Sequence, residues 1–186
     1  MALLQTEDPK LAETAFTAGL LHDMGKLILV GNVPEMYSTA HRLQQTKRIE
    51  QTEAEKTILS ASHAELGASL LGSWRLPLRI VEAVAWHHKP SLSPYRTFSI
   101  LTAVHAGNVL AHEIMGANAD IAKPARFDVF YLAKLGLATR RNSWREGCGL
   151  AVKDEQDSYE DQLRRQIEAE AASSAKGTRF VHPDSM

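Results

Sequence analysis

Apolar residues along this chain recur at helical spacing, and no run alternates cleanly in the manner of a half-buried strand. The first run opens at Pro9, a residue suited to a first helical turn, and sets Leu11, Ala15, Ala18, Leu20 and Leu21 on one broad face. This pattern predicts a helix from about Pro9 to Met24, ended by Gly25. A second, short helix is expected over Pro34 to Gln45. Thr52-Glu53-Ala54-Glu55 and Ser62-His63-Ala64-Glu65 both have the form of a capping box, hydroxyl first and glutamate three residues on, and mark two further helix starts. The second of these helices should end near Trp74, because Pro77 opens another after a tight turn at Arg75-Leu76. That next helix runs to His87 and His88 and is stopped by Pro90. A long helix is expected from Thr97 to Met115 before Gly116, another from Arg126 to Leu135 before Gly136, and one more beginning near Thr139. The fold class is therefore all-α, a bundle with antiparallel helix hairpins.

A chain of 186 residues needs no more than one core, and the pattern places it in residues 1–150. From Lys153 onward the composition turns charged and alanine-rich, so residues 151–186 read as a helical extension to about Ala172 followed by a tail. A net charge of −1 and 6% aromatic residues give no basic stripe and no stacking platform, which argues against a nucleic-acid partner. Arg140, Arg141 and Arg145 lie among Glu and apolar residues and read as a solvated helix face. Cys148 has no second cysteine to pair with and reads as a plain thiol. The most apolar stretch, Ala15 to Val30, is interrupted by His22, Asp23 and Lys26, so no membrane span is expected. The first residues lack a basic region followed by an apolar core, and a cytoplasmic location is expected.

The eight histidines carry most of the candidate chemistry. His22-Asp23 interrupts a core-facing run, and two polar side chains there need partners. A divalent metal reached by imidazole and carboxylate together is one such partner, and a structural hydrogen-bonded pair is the other. His63 stands in the first turn of one helix, and His87-His88 closes the next. If those two helices form an antiparallel hairpin with legs of about 16 Å, the start of one and the end of the other meet. Three histidines then share one site. His105, Asn108 and His112 fall on one face of the long helix, which either closes the same pocket or is half exposed. His41 and His182 have no evident partners.

Taken as ordered blocks, Leu20-Leu21-His22-Asp23-Met24-Gly25-Lys26, Ser62-His63-Ala64-Glu65-Leu66-Gly67-Ala68, Leu76-Pro77 and Ala85-Trp86-His87-His88-Lys89-Pro90 resemble an HDOD domain. This is the bacterial signalling branch of the HD superfamily. Ala103-Val104-His105-Ala106-Gly107-Asn108 and Tyr131 to Leu137 are similar to that family's closing helices, so the resemblance extends from Leu11 to Cys148. It implies an HD-type helical bundle and a metal site of His22, Asp23, His63, His87 and His88, with His105 and Asn108 in the pocket. The metal would be Fe, Mn, Mg or Zn.

Catalytic relatives add an earlier histidine and a later aspartate. Here no histidine precedes His22, which reads as the loss of the domain's N-terminal part, and Asn108 stands where the aspartate is expected. The Gly-Tyr-Pro loop of the cyclic di-GMP phosphodiesterases of the superfamily is absent after His88. The resemblance therefore implies a non-catalytic regulatory module with an incomplete metal site, acting through protein contacts or ligand sensing. Its partners would be receiver or cyclic-nucleotide signalling domains, or a second copy of the chain. The alternative is a metal-dependent phosphohydrolase, in which His22-Asp23 holds one metal, His63, His87 and His88 hold a second, and Lys26 contacts a phosphate. A cation at a helix C-terminus is the plainer role for Lys26.

Overall fold

The computed structural model describes residues 9–94, 97–116 and 125–149, and among them every regular element is helical. The order is α1 (Pro9–Leu21), α2 (Met24–Asn32), α3 (Pro34–Lys47), α4 (Gln51–Leu59), α5 (His63–Ser73), α6 (Leu78–Trp86), a 3-10 turn (Pro90–Leu92), α7 (Ile100–Gly116), α8 (Val129–Lys134) and α9 (Arg140–Glu146). The architecture is an all-α HD-type bundle. None of these helices is long and apolar enough to cross a membrane. The extension expected from Lys153 lies outside the described residues.

Gly25 does not end the first helix. The chain turns two residues earlier, at His22-Asp23, and Gly25 lies in the first turn of α2, an element the apolar pattern did not separate from α1. Its glycine serves packing instead. A Cβ there would run into the carbonyl oxygen of His63 and lie 2.9 Å from the backbone nitrogen of Gly67, so α2 and α5 meet backbone to backbone. The Ser62 box is formed in full: the hydroxyl accepts from the Glu65 N–H, and the Glu65 carboxylate accepts from the Ser62 N–H. The Thr52 box is not. Helix α4 starts one residue before Thr52, with Glu50 at its N-cap and no capping side chain, and Glu55 is turned inward.

Helices α5 and α6 form the antiparallel hairpin, joined by a turn in which Arg75 is left-handed (φ 59°) and Leu76 N–H reaches back to Leu71 C=O at 3.1 Å. Pro77 caps α6, and the helix ends at Trp86 so that His87 and His88 sit just past it. Helices α1, α5, α6 and α7 enclose one apolar cluster, which includes Ala18, Leu71, Ala83, Val84, Leu101 and Val104. The lower half of α7 joins α8 and α9 in a second, with Val109, Leu110, Phe127, Tyr131, Leu132 and Trp144. Arg145 belongs to that second cluster and is not on a solvated face. It is 8% exposed, makes a bidentate pair with Glu113 through Nε and Nη2 (both 2.8 Å), and its guanidinium lies 5.4 Å from the Phe127 ring centre.

Candidate metal centre

The break between α1 and α2 projects Asp23 toward the open end of the α5–α6 hairpin, where His63 starts one leg and His87-His88 follows the other. One oxygen of Asp23 and one ring nitrogen each of His63, His87 and His88 lie within 4.8 Å of one another. Asp23 Oδ1 is 3.3 Å from His63 Nε2 and 3.8 Å from His87 Nε2. The two Nε2 atoms of His63 and His88 are 3.0 Å apart. Both His63 and His87 are fully buried.

The rings are held from behind. His63 Nδ1 lies 2.7 Å from Glu55 Oε2, His87 Nδ1 2.8 Å from Val84 C=O, and His22 Nδ1 2.7 Å from Gly19 C=O. Each of these partners only accepts, so each Nδ1 carries a proton and donates it, which in the neutral ring leaves the Nε2 lone pair free. His22 stands on the outer side, with Nε2 3.4 Å from Asp23 Oδ2, and is not one of the four clustered donors. Lys26, in the first turn of α2 and not at a helix C-terminus, donates to the same Oδ2 at 2.8 Å.

Two atoms facing the middle of the cluster, Asp23 Oδ1 and His87 Nε2, are buried and have no hydrogen bond among the described residues. Such groups cost free energy unless something fills the gap. One carboxylate and three imidazoles, with their far nitrogens tethered to acceptors, form a donor set suited to a divalent transition metal. The electrostatics agree. Burial raises the Asp23 pKa, but the His63 ring 3.3 Å away and the charges of Lys26 and His22 outweigh it and hold the carboxyl well below the usual carboxylate range. Burial, reinforced by the neighbouring His22 and His63 charges, depresses His87 to about 3. His88 is depressed as well, first by burial and then by His87 and His63. His63 moves the other way, because the adjacent Asp23 carboxylate, the Glu55 hydrogen bond and the Glu55 charge overcome the effect of burial.

His105 and Asn108 do not join the four donors. The His105 ring spans from α7 to the loop, with Nδ1 2.7 Å from His87 C=O and Nε2 accepting from Asp128 N–H at 2.9 Å, so it fixes the backbone of a clustered residue. Asn108 is 7% exposed and, with His22, lines a cleft of about 810 Å³ between α1 and α7 whose other walls include Ala12, Ala15, Phe16 and Leu20. Glu55 is the residue that sequence reasoning missed. Its signal was its position three and four residues before Ile58 and Leu59, which puts a carboxylate on the inward face of α4.

A helical bundle that closes around a His-Asp cluster in this way is an HD-type domain. The profile of the HDOD domain family matches residues 2–90, so this stretch of the chain is similar to that family. An uncharacterized protein of Treponema pallidum (strain Nichols) is 26% identical over 104 residues, which are 56% of this chain and 20% of that protein, so the match spans a fifth of the relative's length. No solved structure matches.

Proposed function

We propose that the chain is a non-catalytic signalling module whose buried cluster binds one divalent transition metal as a structural or sensing element. The observation that carries this is the donor count. Asp23, His63, His87 and His88 supply four protein donors, two of them on fully buried rings, which fills a tetrahedral site. Catalytic centres of this kind keep a position open for water, whereas structural ones are closed. Asn108, an amide facing the cleft and not the cluster, adds no carboxylate to open a second site. Three imidazoles favour Zn, Fe or Mn over Mg, which prefers oxygen ligands and keeps its waters.

Signalling contacts would be made on the exposed apolar residues of α1 and α2, where Phe16 and Leu20 are 67% and 68% exposed and Leu27 and Val30 are exposed as well. Receiver or cyclic-nucleotide signalling domains, or a second copy, are the partners this surface is proposed to take.

Metal content of the purified protein, by mass spectrometry, tests the reading together with activity. We expect one zinc, iron or manganese per chain. Adding that metal to the chelated protein at about 100-fold its dissociation constant should stabilise the fold by about 2.7 kcal/mol. His87→Ala should lose both the metal and the stabilisation, and the loaded wild type should turn over neither a model phosphodiester nor a cyclic dinucleotide. Hydrolysis that tracks metal loading and disappears in His87→Ala would replace this reading with the phosphohydrolase one.

A further inference from the structure

The carboxylate of Glu55 is 1% exposed and no lysine or arginine among the described residues bonds to it, although a buried charge of this sort carries a desolvation cost of several kcal/mol. Both of its oxygens are engaged. Oε1 accepts from Gln51 Nε2 at 2.9 Å, and Oε2 accepts from the His63 N–H at 2.8 Å and from the His63 ring at 2.7 Å. The backbone bond alone does not call for a charge, since the first residue of a helix has its N–H capped equally well by a neutral side-chain oxygen. The ring bond does. A carboxylate on the far nitrogen of an imidazole fixes the ring's tautomer and angle and makes the near nitrogen a stronger donor to a cation. Among the clustered rings His63 alone has a carboxylate behind it, while His87 rests on a backbone carbonyl. On the other side of the cluster, Asp23 already shares its charge with Lys26, so the second negative charge beside the site is that of Glu55.

We propose that Glu55 is the positioning residue of the metal centre: through the His63 Nδ1–H it aims His63 Nε2 at a divalent transition-metal ion and strengthens it as a ligand. The proposal rests on reading the cluster as a metal centre. Gln51 extends the arrangement outward. Its amide donates both to Glu55 and to the Tyr37 hydroxyl (3.0 Å), so α3, α4 and the ligand-bearing start of α5 are tied through one carboxylate.

The test is a titration of chelated protein with Co²⁺, read by its ligand-field absorption, in wild type, Glu55→Gln and Glu65→Gln. Gln at position 55 keeps nearly the same shape and one acceptor oxygen for His63, and loses the charge and the second acceptor. Glu55→Gln should bind Co²⁺ about 10- to 100-fold more weakly, with altered absorption and a displaced ¹⁵N resonance for His63 Nδ1. Glu65→Gln removes an equal charge two residues from His63, in the exposed capping box, and should bind within about twofold of wild type by the same standard. If Glu55→Gln does not fold, Gln51→Leu takes its place. It releases one oxygen of Glu55 and should weaken binding by a smaller factor while shifting the same absorption. A folded variant that binds Co²⁺ as tightly as wild type, with an unchanged spectrum, overturns the positioning role and leaves the metal centre standing. Wild type that takes up no Co²⁺, Zn²⁺ or Mn²⁺ overturns both.

Discussion

Replacing Gly25 with alanine is expected to remove most of the folded protein. The added methyl would occupy the position of the His63 carbonyl oxygen, which belongs to the first turn of α5 and has no rotamer to escape into. Only separation of α2 from α5 relieves the overlap. That movement carries Asp23 away from His63 and opens the contact at Gly67. Overpacking against side chains costs about 1–3 kcal/mol, and a collision of backbone with Cβ belongs above that range, a large part of the stability of a domain this size. Urea denaturation should show a large drop in midpoint or no transition. Gly67→Ala calibrates the result: its Cβ would meet the Gly25 nitrogen at 3.1 Å and a Val84 methyl at 3.3 Å, contacts that yield to a small shift. Gly19→Ala, in α1 with nothing within 4 Å, should be neutral or stabilising by up to about 1 kcal/mol. A Gly25→Ala midpoint equal to that of wild type would mean that α2 and α5 do not pack at this distance.

Mild acid should destabilise the metal-free protein strongly. His87 titrates near 3 in the folded chain, against the ordinary 6.5, and burial lowers His88 and His105 as well. A histidine buried neutral contributes stability that is complete above pH 6.5 and is lost as pH falls toward the folded value, because the unfolded chain takes up the proton first. At pH 5 a ring depressed as far as His87 forfeits about 2 kcal/mol. His63 has the opposite sign: its raised pKa contributes stability that is full below 6.5 and lost as pH rises, so it offsets part of the loss. Asp23, lowered from 3.8, enters only below about pH 4. The net expectation is a loss of stability between pH 7.5 and pH 5, because the depressed rings outnumber the raised one. Denaturant unfolding in the presence of chelator measures it, and equal stability at the two values would show that the rings are not held neutral.

The helical class and most element starts could be read from periodicity and punctuation, because Pro34, Ser62, Pro77 and Thr139 act locally. Errors arose where a residue answers to something distant in sequence. Gly25 has the chemistry of a helix stop, yet its role is set by His63, which lies on another helix. Glu55 fits a capping box by spacing, but a partner eight residues on, fully buried, holds it more firmly than an exposed N-terminus would. Arg145 looks solvated beside Arg140 and Arg141 until Glu113, 32 residues away, comes into reach. The meeting of His63 with His87 and His88 was legible because hairpin topology fixes it, whereas the separation of His105 and Asn108 into a brace and a cleft wall depends on helix rotation, which spacing leaves open.

Helix α7 supplies Leu101 and Val104 to one apolar cluster and Ala106, Val109 and Leu110 to the other. Neither cluster can come apart while this shared rod stays in place, and the rod cannot leave one without uncovering both. The described bundle should therefore lose its structure in a single step. The backbone amides midway along α7 report that step most directly, since they exchange with deuterated solvent only when the whole bundle opens, long after the ends of α3 and α9 have done so.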